Sequence, residues 1–160
     1  MTSENVTLRE VVPSDLEVFY VQQLDPDANW MAAFVGPDPT DRAAFDTHWA
    51  KILGAPRITQ RTILAEGEVA GHIACFPAEG RMEVTYWLGR GFWGRGIATL
   101  ALANLLRLVT VRPLFGRAAA DNIGSLRVLQ KCGFRVVGTD KGFAHGRRAE
   151  TEEFILRLDA

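Results

Sequence analysis

The sequence is short of several things, and each shortage excludes a class of protein. It has two cysteines, Cys75 and Cys132, far apart and outside any C-x-x-C spacing. Neither a disulfide framework nor a zinc site is expected, and both thiols are read as reduced and buried. Net charge is almost absent, −1 from 18 basic and 19 acidic side chains, so the basic excess that drives nucleic-acid binding through counterion release is missing. No apolar run is long enough to cross a bilayer, and the polar start Met1–Asn5 lacks the apolar centre of a signal peptide. The expectation is a cytoplasmic protein with no metal, no nucleic acid and no membrane among its partners. Internal repeats and low-complexity tracts are missing too. At 160 residues and 48% hydrophobic, the chain can bury a core without disulfides, and it is read as one domain spanning 1–160.

What is present concentrates between Tyr86 and Leu106, where a strand end, a glycine-rich turn and a long apolar helix follow one another. Gly89, Gly91, Gly94 and Gly96 crowd in just ahead of the helical pattern. Glycine lets backbone approach a ligand closely. A helix starting near Gly96 has first N–H groups without intrahelical partners, carrying partial positive charge and suited to a phosphate or pyrophosphate. The Walker loop is excluded, because Gly96 is followed by Ile97 and Ala98 rather than by Lys and a hydroxyl residue. Gly89 to Gly94 spells G-x-G-x-x-G, yet the helix begins only after Gly96 and no clear βαβ unit surrounds it, so a dinucleotide fingerprint is not supported.

The rest of the chain reads as alternating strands and helices. Val6–Val11 alternates as a half-buried strand. Ser14 or Asp15 caps a helix carrying Leu16, Phe19, Tyr20 and Leu24, which Asp25-Pro26-Asp27 ends. Ala28 to Pro39 shows no clear period and is read as a covering segment. Thr40 or Asp41 caps a second helix through Leu53. Ile58–Leu64 and Val69–Phe76 form a hairpin around Glu66-Gly67-Glu68, and Met82–Leu88 makes a third consecutive strand. Ile97–Val109 is a helix buried around most of its circumference. Leu114–Ala120 is taken as a strand from context, Ile123–Cys132 as a helix capped by Asp121 or Asn122 and stopped by Gly133. Phe134–Val137 and Glu153–Leu158 close the chain as a strand pair around a polar loop, Gly142–Arg148, whose Arg147-Arg148 is read as solvated.

Two stretches resemble the GNAT superfamily of N-acetyltransferases, in particular the branch that includes the ribosomal-protein N-terminal acetyltransferases. Trp93-Gly94-Arg95-Gly96-Ile97-Ala98 is similar to the superfamily's phosphate motif, Gln/Arg-x-x-Gly-x-Gly/Ala, with Trp93 in place of the usual Gln or Arg. Asn122 to Phe134 resembles the branch's N-x-x-S-x-x-V-x-x-x-x-G-F helix. The element order, β-α-α-β-β-β-α-β-α-β-β, resembles the superfamily over nearly the whole chain. The resemblance implies an α/β fold with a mixed, mostly antiparallel central sheet flanked by helices. Acetyl-CoA would lie in a split between the neighbouring strands that end at Leu88 and Ala120, and a homodimer is implied from the same source.

That resemblance implies an acetyl-CoA-dependent N-acetyltransferase, by direct attack of a primary amine in a ternary complex. The acceptor is a small-molecule or peptide amine: a protein N-terminus, an amino acid, a polyamine or an antibiotic. The alternative is a non-catalytic module that binds coenzyme A. Glu83 lies in Glu83-Val84-Thr85-Tyr86-Trp87-Leu88, which resembles the branch's E-I-G-Y-W-L strand and implies a general base. A carboxylate is a weak base unless desolvated or working through water, and a solvent-facing strand glutamate is the structural alternative. Ser125 takes the position that faces the thiol in the branch; the alternative is a first-turn serine serving backbone donors. Asn122 combines helix cap with contact to the pantetheine amides. Trp87, Leu88, Trp93, Gly94, Arg95, Gly96, Ile97, Ala98 and Thr99 complete the implied coenzyme site, a backbone N–H near Trp87 or Leu88 serving the oxyanion. Trp30 and Phe34, with Glu83, are the candidate acceptor-binding residues. Trp49 and Trp87 are read either as lining the acceptor pocket or as core packing, and His48 and His72 as structural or surface residues.

Overall fold

The structure, a computed structural model, describes residues 5–160, so the reading of the Met1–Asn5 start lies outside it except at Asn5. Seven strands form one sheet: β1 Val6–Glu10, β2 Thr59–Ala65, β3 Glu68–Ala78, β4 Arg81–Leu88, β5 Leu114–Ala119, β6 Arg135–Ala144 and β7 Ala149–Leu158. Their spatial order is β1-β2-β3-β4-β5-β7-β6, with β4 and β5 parallel and every other pair antiparallel. The two early hairpins turn on Glu66-Gly67 and Glu79-Gly80, all four at positive φ, the geometry that matches the twist of adjoining strands. Five helices join them: α1 Pro13–Gln23, α2 Pro26–Ala32, α3 Arg42–Leu53, α4 Ile97–Leu108 and α5 Ile123–Lys131. Among the described residues no helix is long and apolar enough to cross a membrane.

The order has one helix more than the sequence suggests. Asp25-Pro26 both stops α1 and starts α2: the Asp25 carboxylate accepts from the Asp27 N–H over 3.0 Å, and Pro26 takes the first helical position, where no N–H is needed. The last two strands are also longer than their apolar patterning indicates. β6 lies at the sheet edge with most side chains exposed, so backbone pairing to β7 extends it through Thr139, Asp140 and Lys141 without an apolar signal. The polar loop shrinks to a short turn between Ala144 and Ala149.

The main core lies between the sheet and the helices α4 and α5. Ile97, Ala101, Leu102 and Leu105 of α4 and Leu129 of α5 meet Ile63, Ile73, Cys75, Val84 and Leu114. A second cluster, Phe19 of α1 with Phe45 and Trp49 of α3, covers the opposite face. Asp15 fixes α1 to the sheet: buried to 2% exposure, it accepts two bonds from Arg9, one from the Val12 N–H and one from the Thr62 hydroxyl. Burial opposes its charge, but these donors outweigh burial and hold the carboxyl below its ordinary range.

His72 of β3 faces the second cluster, with its ring 4.7 Å from Phe19 and 4.9 Å from Trp49. Burial, and secondarily the nearby His48, push its pKa from 6.5 down to about 3. The unfolded chain therefore takes up this proton near pH 6.5 while the folded chain does not. The stability that neutral His72 contributes is complete above pH 6.5 and is lost as pH falls toward 3, at up to about 1.4 kcal/mol per pH unit. Urea unfolding at pH 7.5 and at pH 5.0 should differ by about 2 kcal/mol on this account, and His72→Gln should remove most of that difference. An equal pH dependence in the variant would assign it elsewhere. Losses confined to more acid solution belong to carboxylates such as Asp15.

Candidate active site

The parallel pair β4 and β5 is joined over two residue pairs, Met82↔Leu114 and Glu83↔Phe115, after which the strands part. β5 stays paired with β7 from Leu114 to Ala119, and β4 keeps its pairing with β3 through Leu88. Between the parted strands runs a cleft of about 740 Å³. It passes through the sheet: Met31 and Phe34 line it on the α2 side, Ala98, Ser125 and Val128 on the side of α4 and α5. Its size suits a small-molecule site.

At one end the glycine-rich loop opens α4. A single 3-10 turn, Arg90–Phe92, leads to Gly94 at φ +71° and to Gly96 at φ +75°, the residue before the first helical position. Both conformations favour glycine, and a Cβ at either would meet nothing within 4 Å, so the loop leaves an open cradle. No side chain caps α4. The N–H groups of its first turn face the cradle without intrahelical partners, an arrangement that fits a phosphate group. Trp93 turns its indole back, with Nε1 donating to the Leu88 carbonyl over 3.0 Å at the end of β4.

On the α2 side stands a group of charges. Glu83 is 6% exposed, which rules out a solvent-facing strand glutamate. Its oxygens lie 3.4 Å from Arg117 Nε and 3.7 Å from Arg81 Nε, outside close hydrogen bonding. Arg117 Nη1 donates to Glu153 over 2.8 Å, and Glu79 and Asp140 lie 3.8 Å and 3.4 Å from the same guanidinium. Arg81 lies over the Phe115 ring at 4.2 Å. Arg117 and Glu153, neither of them singled out by the sequence, thus share the cleft wall with Glu83. The sequence signal for them was only strand alternation.

On the other side Asn122 caps α5, its Oδ1 accepting from the Ser125 N–H over 3.2 Å while Nδ2 donates to the Met31 carbonyl over 3.1 Å. The backbone donor is thereby served by Asn122, leaving the Ser125 hydroxyl for another role. The Tyr86 hydroxyl donates to Ser125 Oγ over 3.2 Å, bringing β4 and α5 together inside the cleft. Trp87 also lines it, and the Trp87 Nε1–H is buried with no hydrogen-bond partner among the described residues.

The structure brings together most of the residues named from the sequence. Phe34, Glu83, Trp87, Leu88, Trp93, Gly94, Gly96, Ile97, Ala98, Thr99, Asn122 and Ser125 all line the cleft. Two do not. Arg95 turns to the Gly91 carbonyl and the Phe92 ring. Trp30 lies on the outer side of α2 beneath Arg147, whose guanidinium sits 4.5 Å from its ring. Arg147 is not a solvated turn residue: its side chain is 8% exposed, donating to the Trp30 carbonyl over 2.6 Å and in a fork to Asp121. Together with a bond from the Gly146 N–H to the Ala33 carbonyl, it fastens the end of α2 to the turn between β6 and β7. Arg90 clasps the other end through Asp25 and Asp27.

The family described as the acetyltransferase (GNAT) domain matches residues 5–135. The chain belongs to the GNAT acetyltransferase family. A search of curated proteins gives no match. Among solved structures, the chain is similar to Mycobacterium smegmatis RimJ in complex with CoA-disulfide, at 22% identity and a TM-score of 0.82 over 97% of this chain and 82% of that one. It is similar to RimL, a ribosomal-protein alpha-N-acetyltransferase in complex with coenzyme A, at 20% identity and 0.77 over 97% and 95%. It is also similar to spermidine N-acetyltransferase from Vibrio cholerae in complex with CoA and spermine, at 12% identity and 0.79 over 96% and 95%. These likenesses establish the GNAT fold.

The end of β4 is set by a close approach from β3. A Cβ on Gly71 would lie 1.9 Å from the Trp87 carbonyl oxygen and 3.0 Å from the Leu88 Cα, both backbone atoms that must shift to admit it. Gly71→Ala should therefore cost about 1–3 kcal/mol, a fall of roughly 3–10 °C in Tm, and displace the strand end that forms the cleft wall. Thermal unfolding measures this; an unchanged Tm would show that the approach is slack.

Proposed function

We propose that the protein transfers an acetyl group from acetyl-CoA to a primary amine by direct attack in a ternary complex. The observation that carries this reading is a cleft that passes through the sheet, with an uncapped, glycine-cradled helix start at one end and differently equipped walls on its two sides. In this reading the pyrophosphate sits on the first turn of α4, held by backbone N–H groups at Gly96, Ile97 and Ala98. The pantetheine arm follows the exposed edge of β4 past Leu88 and Trp87 toward Asn122, and the thioester lies where β4 and β5 part. RimJ, RimL and the spermidine acetyltransferase, bound to coenzyme A forms in their solved structures, lend support.

The amine enters from the α2 side, past Phe34 and Met31. Glu83 takes the amine's proton, directly or through a water, and the attacking nitrogen closes on the thioester carbon. A backbone N–H at the end of β4 serves the developing oxyanion. Ser125, on the opposite side, hydrogen-bonds the departing sulfur. The carboxylates of Glu83 and Glu153 in the wall favour an acceptor that arrives as an ammonium ion, which fits an amine at neutral pH.

Release of the coenzyme A thiol across a panel of peptides, amino acids, polyamines and aminoglycosides, against an amine-free control, tests this reading. Release that depends on one acceptor class is expected and would name the acceptor. Binding of coenzyme A without amine-dependent release would convert the reading to a binding module. With the active acceptor, Glu83→Gln should lower kcat about 100-fold while leaving the Kd for coenzyme A within a factor of two. Full turnover in that variant would remove Glu83 from the chemistry without removing the transfer itself.

A further inference from the structure

Ser125 has one hydroxyl hydrogen and two lone pairs to place. One lone pair receives the Tyr86 phenol over 3.2 Å. Tyr86 has no other acceptor among the described residues, so with its phenol donating here the Ser125 hydroxyl hydrogen is left to the cleft that Ser125 lines. A free serine hydroxyl rotates among several orientations; one that accepts a bond from a fixed phenol is restricted to those that direct its hydrogen elsewhere. Tyr86 is itself well fixed. It stands on β4, paired with Ile73 of β3, and packs against the main core. Burial raises its phenol pKa, so it remains protonated and remains a donor.

We propose that Tyr86 is a positioning residue, which orients and polarises the Ser125 hydroxyl so that it donates to the sulfur of coenzyme A. The inference rests on reading the cleft as an acetyl-CoA site. As the C–N bond forms and the C–S bond breaks, the amine's proton leaves on the Glu83 side and negative charge gathers on sulfur. A donor already aimed at that atom stabilises the charge without reorganising, and a phenol donating into the serine oxygen strengthens it. Tyr86 gives up no proton; the thiolate takes its proton from solvent once free. The phenol stands on β4, 39 positions ahead of Ser125 in the sequence.

The test needs no acceptor. The pKa of the bound coenzyme A thiol is read from thiolate absorbance in the ultraviolet, at saturating protein, for the wild type, Tyr86→Phe, Ser125→Ala and the double variant. A donor to the thiolate lowers that pKa, so Tyr86→Phe should raise it by about 0.5–1 pH unit and Ser125→Ala by at least as much. Because Tyr86 acts through Ser125, adding Tyr86→Phe to Ser125→Ala should change nothing further. An unchanged thiol pKa in Tyr86→Phe, or an undiminished effect of that substitution in the Ser125→Ala background, would overturn the proposal. If the titration behaves as expected while no amine supports turnover, acetyl transfer fails as the function and the placement of Tyr86 and Ser125 at the sulfur stands. If coenzyme A does not bind the wild type, both fail.

Discussion

Everything in the site depends on two neighbouring parallel strands that stop pairing. β4 is paired along its full length with β3, and β5 along its full length with β7, so one edge of each strand is satisfied and the other faces its parallel neighbour. The facing edges meet at two residue pairs and then diverge. Backbone groups on an unpaired interior edge are costly unless something answers them, and a ligand laid between the strands would do so. The crossover through α4 leaves from the same end of β4. Its first turn therefore opens at the mouth of the cleft, the position that open α/β sheets use for ligands.

The two sides of the cleft differ because side chains alternate along β4. Glu83 points toward the charged group around Arg117, whereas Val84 and Tyr86 point into the core that α4 and α5 cover. Three residues of one strand thus hold a carboxylate and a neutral phenol apart, on opposite sides of whatever lies between them. The carboxylate group is kept in place by Arg117, which bridges β4, β6 and β7. Removing charges from water is expensive, and this cluster is tolerable because each buried carboxylate has a guanidinium within 4 Å.

Much of this was legible in the residues. Residue patterning located six strands and four of the five helices, context supplied the strand at Leu114–Ala120, and caps such as Asp41 and Asn122 lie where their side chains suggested. The glycines at 94 and 96 marked the loop because only a backbone needing positive φ and open space calls for them in that spacing. What escaped was set by contacts distant in sequence. α2 is too short to show a period, and the Asp25-Pro26 that announces it also ends α1. Trp30 reads as a pocket aromatic until Arg147 is found lying on it. The Tyr86–Ser125 pair and the place of Arg117 arise from which strands become neighbours, and no local pattern encodes that.

α2 has seven residues, far fewer than an isolated helix needs to persist in water. Its stability is borrowed from both ends: from Arg90 ahead of α4, and from Asn122, Gly146 and Arg147 more than 90 residues further on. The turn between the last two strands, which carries Gly146 and Arg147, is therefore part of what holds α2 in place. The wall beside Met31 and Phe34 rests on these distant contacts, whereas Gly96 lies on the loop that opens α4. The last hairpin thus belongs structurally to the cleft wall, although neither Gly146 nor Arg147 lines the cleft.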